Sequence, residues 1–162
     1  MNNAEARQKF LEIWDREFQI TMKILKAFPE NRQDYKPHEL SKSAKDLAWV
    51  FASEERVVFE GIVDGNIQWE KMTPAPETLK EVIALYEVIH RDAMEKVRTN
   101  EISGTVQFFT APKVVGNLDK LELLWMMLHD HIHHRGQFSI YLRLVGAKVP
   151  SIYGPSADEP WN

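Results

Sequence analysis

The sequence predicts an all-α protein: a four-helix bundle with a longer crossover before the fourth helix and a proline-rich C-terminal extension. Three observations carry this prediction. Apolar residues recur at intervals of three and four along four long stretches. Prolines and glycines fall between those stretches. The 162 residues suit one domain of ordinary size, expected over 1–162.

Phe10, Trp14, Phe18, Thr21 and Leu25 mark the first helix, which stops at Phe28-Pro29 because proline cannot continue it. Ser43, with Asp46 three residues on, opens the second helix as a weak capping box. Leu47, Phe51, Val58 and Ile62 form its buried stripe, and it ends near Gly65-Asn66. Pro74 and Pro76 break the chain again. Leu79, Val82, Ile83, Tyr86, Ala93 and Val97 then share one face of a third helix. The segment from Gly104 to Gly116 reads as a partly buried crossover of undefined shape, with Asn117 as cap of the fourth helix. That helix is apolar around most of its circumference from Leu121 to Leu128, which suits the most buried member of a bundle. The tail KVPSIYGPSADEPWN holds three prolines and is expected to drape over the bundle end.

Composition narrows the function classes. A net charge of −4 with scattered signs gives no surface that tracks phosphates, so no nucleic-acid partner is expected. No apolar run is long enough to span a membrane, and MNNAEARQKF lacks the apolar core of a secretory signal. With no cysteine, the chain fits a reducing compartment, and a cytoplasmic location is expected. Any metal must then be held by nitrogen and oxygen, and any thiol must arrive with a substrate.

Four of the six histidines stand within six residues of the run LHDHIHHRGQ, Leu128 to Gln137. Imidazoles and carboxylates this dense on one helix point to metal binding. Two ligand pairs compete, His129 with His133 and Asp130 with His134. Each is spaced four apart, and spacing does not choose between them. His131 lies about 60° from His134 around the helix, so it is a further candidate beside the second pair. On the second helix, Glu54 falls at the centre of the apolar stripe, where a bare carboxylate costs several kcal/mol. It must pair with an arginine such as Arg135 or Arg143, take a proton, or bind a cation. Glu55, about 100° away, is expected at the surface. His90 reads as a hydrogen-bonded core histidine and His38 as a loop residue. Trp49, Trp125 and Phe138 read as core or pocket wall, and Arg135 and Gln137 as structural. Tyr141 lies near the face of His134, where its hydroxyl is within reach of a substrate.

The run HHRGQFSIYLRLVGAKVPSIYG, the helix before it and LAWVFASEE on the second helix resemble the DinB/YfiT-like superfamily of small four-helix-bundle metalloproteins. The resemblance covers nearly the whole chain. It implies a divalent ion, nickel or zinc in many members, held by three histidines: one on the second helix and an H-x-x-x-H pair whose second member opens HRGQ. That member is His134, which selects the pair Asp130 and His134. This chain departs from the pattern twice: Asp130 replaces the first histidine of the pair, and Val50 stands where the second-helix histidine belongs. Glu54, one turn beyond Val50, can supply an oxygen instead. The implied site is Glu54, Asp130 and His134, with His131 as a fourth candidate. Two carboxylates and one imidazole suit manganese or iron as well as zinc or nickel. Relatives include thiol-dependent transferases and isomerases, so the resemblance implies a small-molecule substrate and a low-molecular-weight thiol, by transfer or hydrolysis. The contrasting expectation is a non-catalytic, stress-linked binding or dimerisation module that has lost its metal. A homodimer is expected under both.

Overall fold

Asn2 begins the first helix with a reciprocal cap. Its side chain accepts from the Glu5 backbone N–H, and the Glu5 carboxylate accepts from the Asn2 N–H. Helix α1 then runs Asn3–Lys26 in this computed structural model, which describes residues 2–161. The terminal residues 1 and 162 of the expected domain lie outside the described residues.

Helix α2 starts where the Ser43 hydroxyl accepts from the Asp46 N–H. It is built of a regular segment, Ala44–Glu54, one wide π turn, Glu55–Phe59, and a last segment, Glu60–Asp64. Gly65 ends it at φ 78°, a left-handed conformation that glycine adopts without a Cβ clash. Thr78 and Glu81 form a reciprocal cap for α3, Leu79–Thr99.

The crossover is a β-hairpin, a shape the sequence reading left undefined. Strand β1, Thr105–Ala111, pairs antiparallel with β2, Val114–Asp119, with Phe108 opposite Gly116. Val106 and Phe108 alternate inward along β1, and Lys113 takes φ 64° at the turn. Asn117 is not the cap of the next helix. It pairs with Gln107 inside the hairpin, and Asp119, at the strand end, accepts from the Leu121 and Glu122 N–H groups. Helix α4 follows, Lys120–Leu144. The protein is essentially helical, and among the described residues no helix is long and apolar enough to cross a membrane.

The apolar interior comes in two halves. Phe10, Trp14, Phe59, Ile62, Val97, Leu124 and Leu128 pack at the hairpin end. Leu25, Leu47, Phe51, Leu79, Val82, Phe138 and Leu142 pack at the other. Between them, every helix contributes a buried polar side chain at one level: Glu17 from α1, Glu55 from α2, His90 from α3, and His131 and Arg135 from α4. Polar groups this deep require partners, and the partners they find define the functional site.

Candidate metal centre

Glu55 anchors the polar layer. It is fully buried, and the sequence expectation that it faces solvent is corrected here. The stripe read from Leu47, Phe51, Val58 and Ile62 omits Ala44, Ala48, Ala52 and Phe59, all of which are buried. Including them turns the centre of the buried face toward Glu55 and leaves Glu54 at its edge. Three donors meet the Glu55 carboxylate. Trp14 Nε1 donates to Oε1 at 2.9 Å, the Tyr86 hydroxyl donates to Oε1 at 3.2 Å, and His90 Nδ1 donates to Oε2 at 2.8 Å. An ionised carboxylate only accepts, so the His90 proton sits on Nδ1. Burial, with the charge of Glu55 beside it, holds the Tyr86 phenol well above its ordinary range. His90 is the hydrogen-bonded core residue expected, and His38 lies exposed in the loop before α2.

Just before the π turn, Glu54 points from the edge of that layer toward α4. Neither arginine considered as its partner reaches it. Arg135 is ion-paired with Glu17 at 2.8 Å and also donates to the Tyr153 hydroxyl, and Arg143 pairs with Asp158 at 2.6 Å. Glu54 Oε2 is buried without a hydrogen bond. The same is true of His131 Nε2, which faces it at 3.1 Å.

One ligand atom each from Glu54, Asp130 and His134 lies within 4.8 Å of the others, so the three expected ligands converge. Asp130 and His134 are one turn apart on α4, with His134 Nε2 3.2 Å from Asp130 Oδ2. The far side of the His134 ring faces Gln137, whose Oε1 is 3.2 Å from Nδ1. Gln137 Nε2 donates in turn to His133 Nε2 at 2.8 Å, which orients the amide with its oxygen toward His134. Nδ1 therefore carries a proton, and Nε2 of a neutral ring presents a lone pair to Asp130. Two lone-pair atoms this close require a proton or a cation between them. Accordingly, the contact with Asp130 raises the His134 pKa, and the contact with His134 lowers that of Asp130. Two ligands on one ion, bound at about 2.0–2.2 Å, stand roughly 3.0–3.4 Å apart. The Asp130–His134 spacing is compatible with that figure. The donor set suits a divalent ion, and Gln137 holds the ring of His134 from its far side.

His129 and His133, the competing pair, are exposed and stay outside the convergent trio. Tyr141 does not offer a free hydroxyl, because its OH donates to the Lys42 carbonyl at 3.1 Å. Trp49 and Phe138 are buried as expected. Two clefts flank the trio. One, of about 460 Å³, contains Glu54 and Asp130 together with Val58, Trp69, Phe108 and Met126. The other, of about 440 Å³, contains His134 with Ser41, Lys42 and Gln137.

The sequence profile of the DinB family matches residues 1–161. The chain belongs to the DinB family. A further relative is YrdA, an uncharacterized protein of Bacillus subtilis (strain 168), 24% identical over 159 residues that span 93% of this chain and 89% of YrdA. Among solved structures, a DinB-like protein from Bacillus cereus ATCC 10987 superposes with a TM-score of 0.75 at 19% identity, covering 90% of this chain and 97% of that one. The DinB-like YjoA of Bacillus subtilis gives a TM-score of 0.73 at 17% identity with the same coverage. These likenesses place the fold, and the carboxylate-rich trio is read from this DinB chain's own residues.

Proposed function

We propose that this DinB-family chain is a divalent-metal-dependent enzyme that transfers a small thiol to a second molecule. The observation that carries the reading is the convergence of Glu54, Asp130 and His134 within 4.8 Å, with Glu54 Oε2 buried and making no hydrogen bond. These three residues would hold the ion, and manganese, iron, zinc and nickel all accept such donors. A divalent ion supplies Lewis acidity, which lowers the pKa of a thiol or a water brought against it.

The remaining groups have separate tasks. Gln137 fixes the His134 tautomer, and the buried carboxylate of Glu55 lies 3.8 Å from His131 Nδ1, behind the ring that faces Glu54. His129 on the rim offers an exposed imidazole to take the proton that a thiol gives up. Two clefts of similar size sharing one trio favour transfer between two molecules over hydrolysis, since a water needs no cleft of its own. The chain contains no cysteine, so the thiol is a reactant.

The test begins with metal analysis of untagged protein and its melting temperature with and without added ion. A specific folded-state ligand raises that temperature. Loaded protein should then speed loss of a free low-molecular-weight thiol in the presence of an uncharged electrophile, and Asp130→Ala should abolish the effect. If no ion copurifies and none raises the melting temperature, the enzyme reading fails and the bundle is a binding or dimerisation module.

A further inference from the structure

The cleft over Glu54 and Asp130 has an apolar, largely aromatic wall. Its walls are Val58 on α2, Trp69 in the short turn Trp69–Lys71, Phe108 on β1, and Met126 and Met127 on α4. None of the side chains lining it is lysine or arginine, and its basic groups are the imidazoles of His129 and His133. Trp69 and Met126 are 40% and 41% exposed, large apolar surfaces left in water beside the candidate metal centre. Trp69 stands tilted against Phe108 with ring centroids 5.8 Å apart, so the wall is a pair of aromatic faces. The thioether side chains of Met126 and Met127 add a polarizable, adaptable surface. The volume of about 460 Å³ lies within the range of small-molecule pockets. The other cleft differs, because it contains Lys42, Ser41 and Gln137.

We infer that the Trp69–Phe108 cleft selects a reactant with an aromatic group carried next to a metal-binding oxygen or sulfur. A flat ring gains stacking on Trp69 and Phe108 and removes their exposed faces from water. The inference rests on the metal reading above and adds the class of molecule that occupies one side of it.

Two neutral hydroxamic acids separate the two claims. Acetohydroxamic acid reports the ion alone, and benzohydroxamic acid adds one phenyl ring. Titrated by calorimetry into metal-loaded protein, the phenyl compound should bind about tenfold more tightly. Trp69→Ala should bring the two compounds within about threefold of each other while acetohydroxamic acid keeps its affinity, and Trp69→Phe should restore most of the difference. Trp69 lies outside the packed interior, so these substitutions leave the bundle intact. Equal binding of both compounds by the native protein, or a phenyl advantage that persists in Trp69→Ala, overturns the aromatic selectivity and leaves the metal centre standing. If neither compound binds, the metal reading falls and takes this inference with it.

Discussion

His131 Nε2 and Glu54 Oε2 face each other across 3.1 Å at the edge of the buried polar layer, and neither makes a hydrogen bond. The imidazole comes from α4 and the carboxylate from α2, so this contact couples the two helices that build the trio. His131 stands between the candidate site and Glu55, and replacing it alters the site without touching Glu54, Asp130 or His134. His131→Ala is expected to weaken ion binding by about 10–100-fold while helical content is retained. Calorimetric titration alongside circular dichroism checks both parts. Unchanged ion affinity would mean that His131 only fills space.

Glu55 is predicted to matter most for folding. Removing its carboxylate leaves Trp14 Nε1, the Tyr86 hydroxyl and His90 Nδ1 buried without their acceptor, and each such group costs about 1–3 kcal/mol. Glu55→Ala should therefore destabilise the protein by about 3–5 kcal/mol in urea unfolding. Glu55→Gln, which keeps one acceptor oxygen, should cost less.

The Asp130–His134 contact gives the candidate site a pH dependence whose sign is fixed. In the ion-free protein the His134 pKa is raised above its ordinary 6.5, so its stabilisation is complete below that value and is lost as pH climbs through the folded pKa. Asp130 is lowered from 3.8, so its contribution is present above that value and is lost as pH falls through the folded pKa. The pair therefore favours the ion-free fold most between these two limits. An ion must displace the His134 proton, so its affinity should rise from pH 6 to pH 8 with proton release. Titrations in two buffers of different ionisation enthalpy measure that release.

Arg135 reads as a clamp between the bundle and the C-terminal tail. It is 2% exposed, pairs with Glu17 at 2.8 Å, and meets the Tyr153 hydroxyl, which itself donates to Glu17. Arg135→Ala leaves the buried Glu17 with only Arg16, 3.5 Å away and largely exposed, and the Tyr153 hydroxyl as partners, and should cost about 1–3 kcal/mol. Arg135→Lys should not rescue fully, because an ammonium lacks the planar fork that reaches Glu17, Thr21 and Tyr153 together. Chemical denaturation of both variants measures the difference.

Much of this architecture was legible in the sequence because helix signals are local. The Ser43 cap, the stop at Gly65 and the apolar spacing of α1 and α3 each depend on a few neighbouring residues. Asp130 and His134 share a helix turn, but so do His129 and His133, and the resemblance to the DinB/YfiT-like superfamily rather than spacing selected the first pair. Glu54 and Glu55 were harder to read. Alanines carry little hydrophobic weight, yet Ala44, Ala48 and Ala52 define which of the two glutamates enters the core. The acceptors and donors that fill the polar layer come from four helices, and no local pattern joins Trp14 to Glu55 or His131 to Glu54. The hairpin was missed because its glycines and Pro112 read as breakers, although Val106 and Phe108 alternate inward as a strand requires.

The central claim is that Glu54, Asp130 and His134 together hold one divalent ion. Direct calorimetric titration of manganese and zinc into untagged protein tests it, with Glu54→Ala, Asp130→Ala, His134→Ala and His129→Ala in parallel. One ion per chain is expected in the native protein, with binding abolished in the first three variants and unchanged in His129→Ala. Absence of binding in the native protein, or loss confined to His129→Ala, would contradict the account.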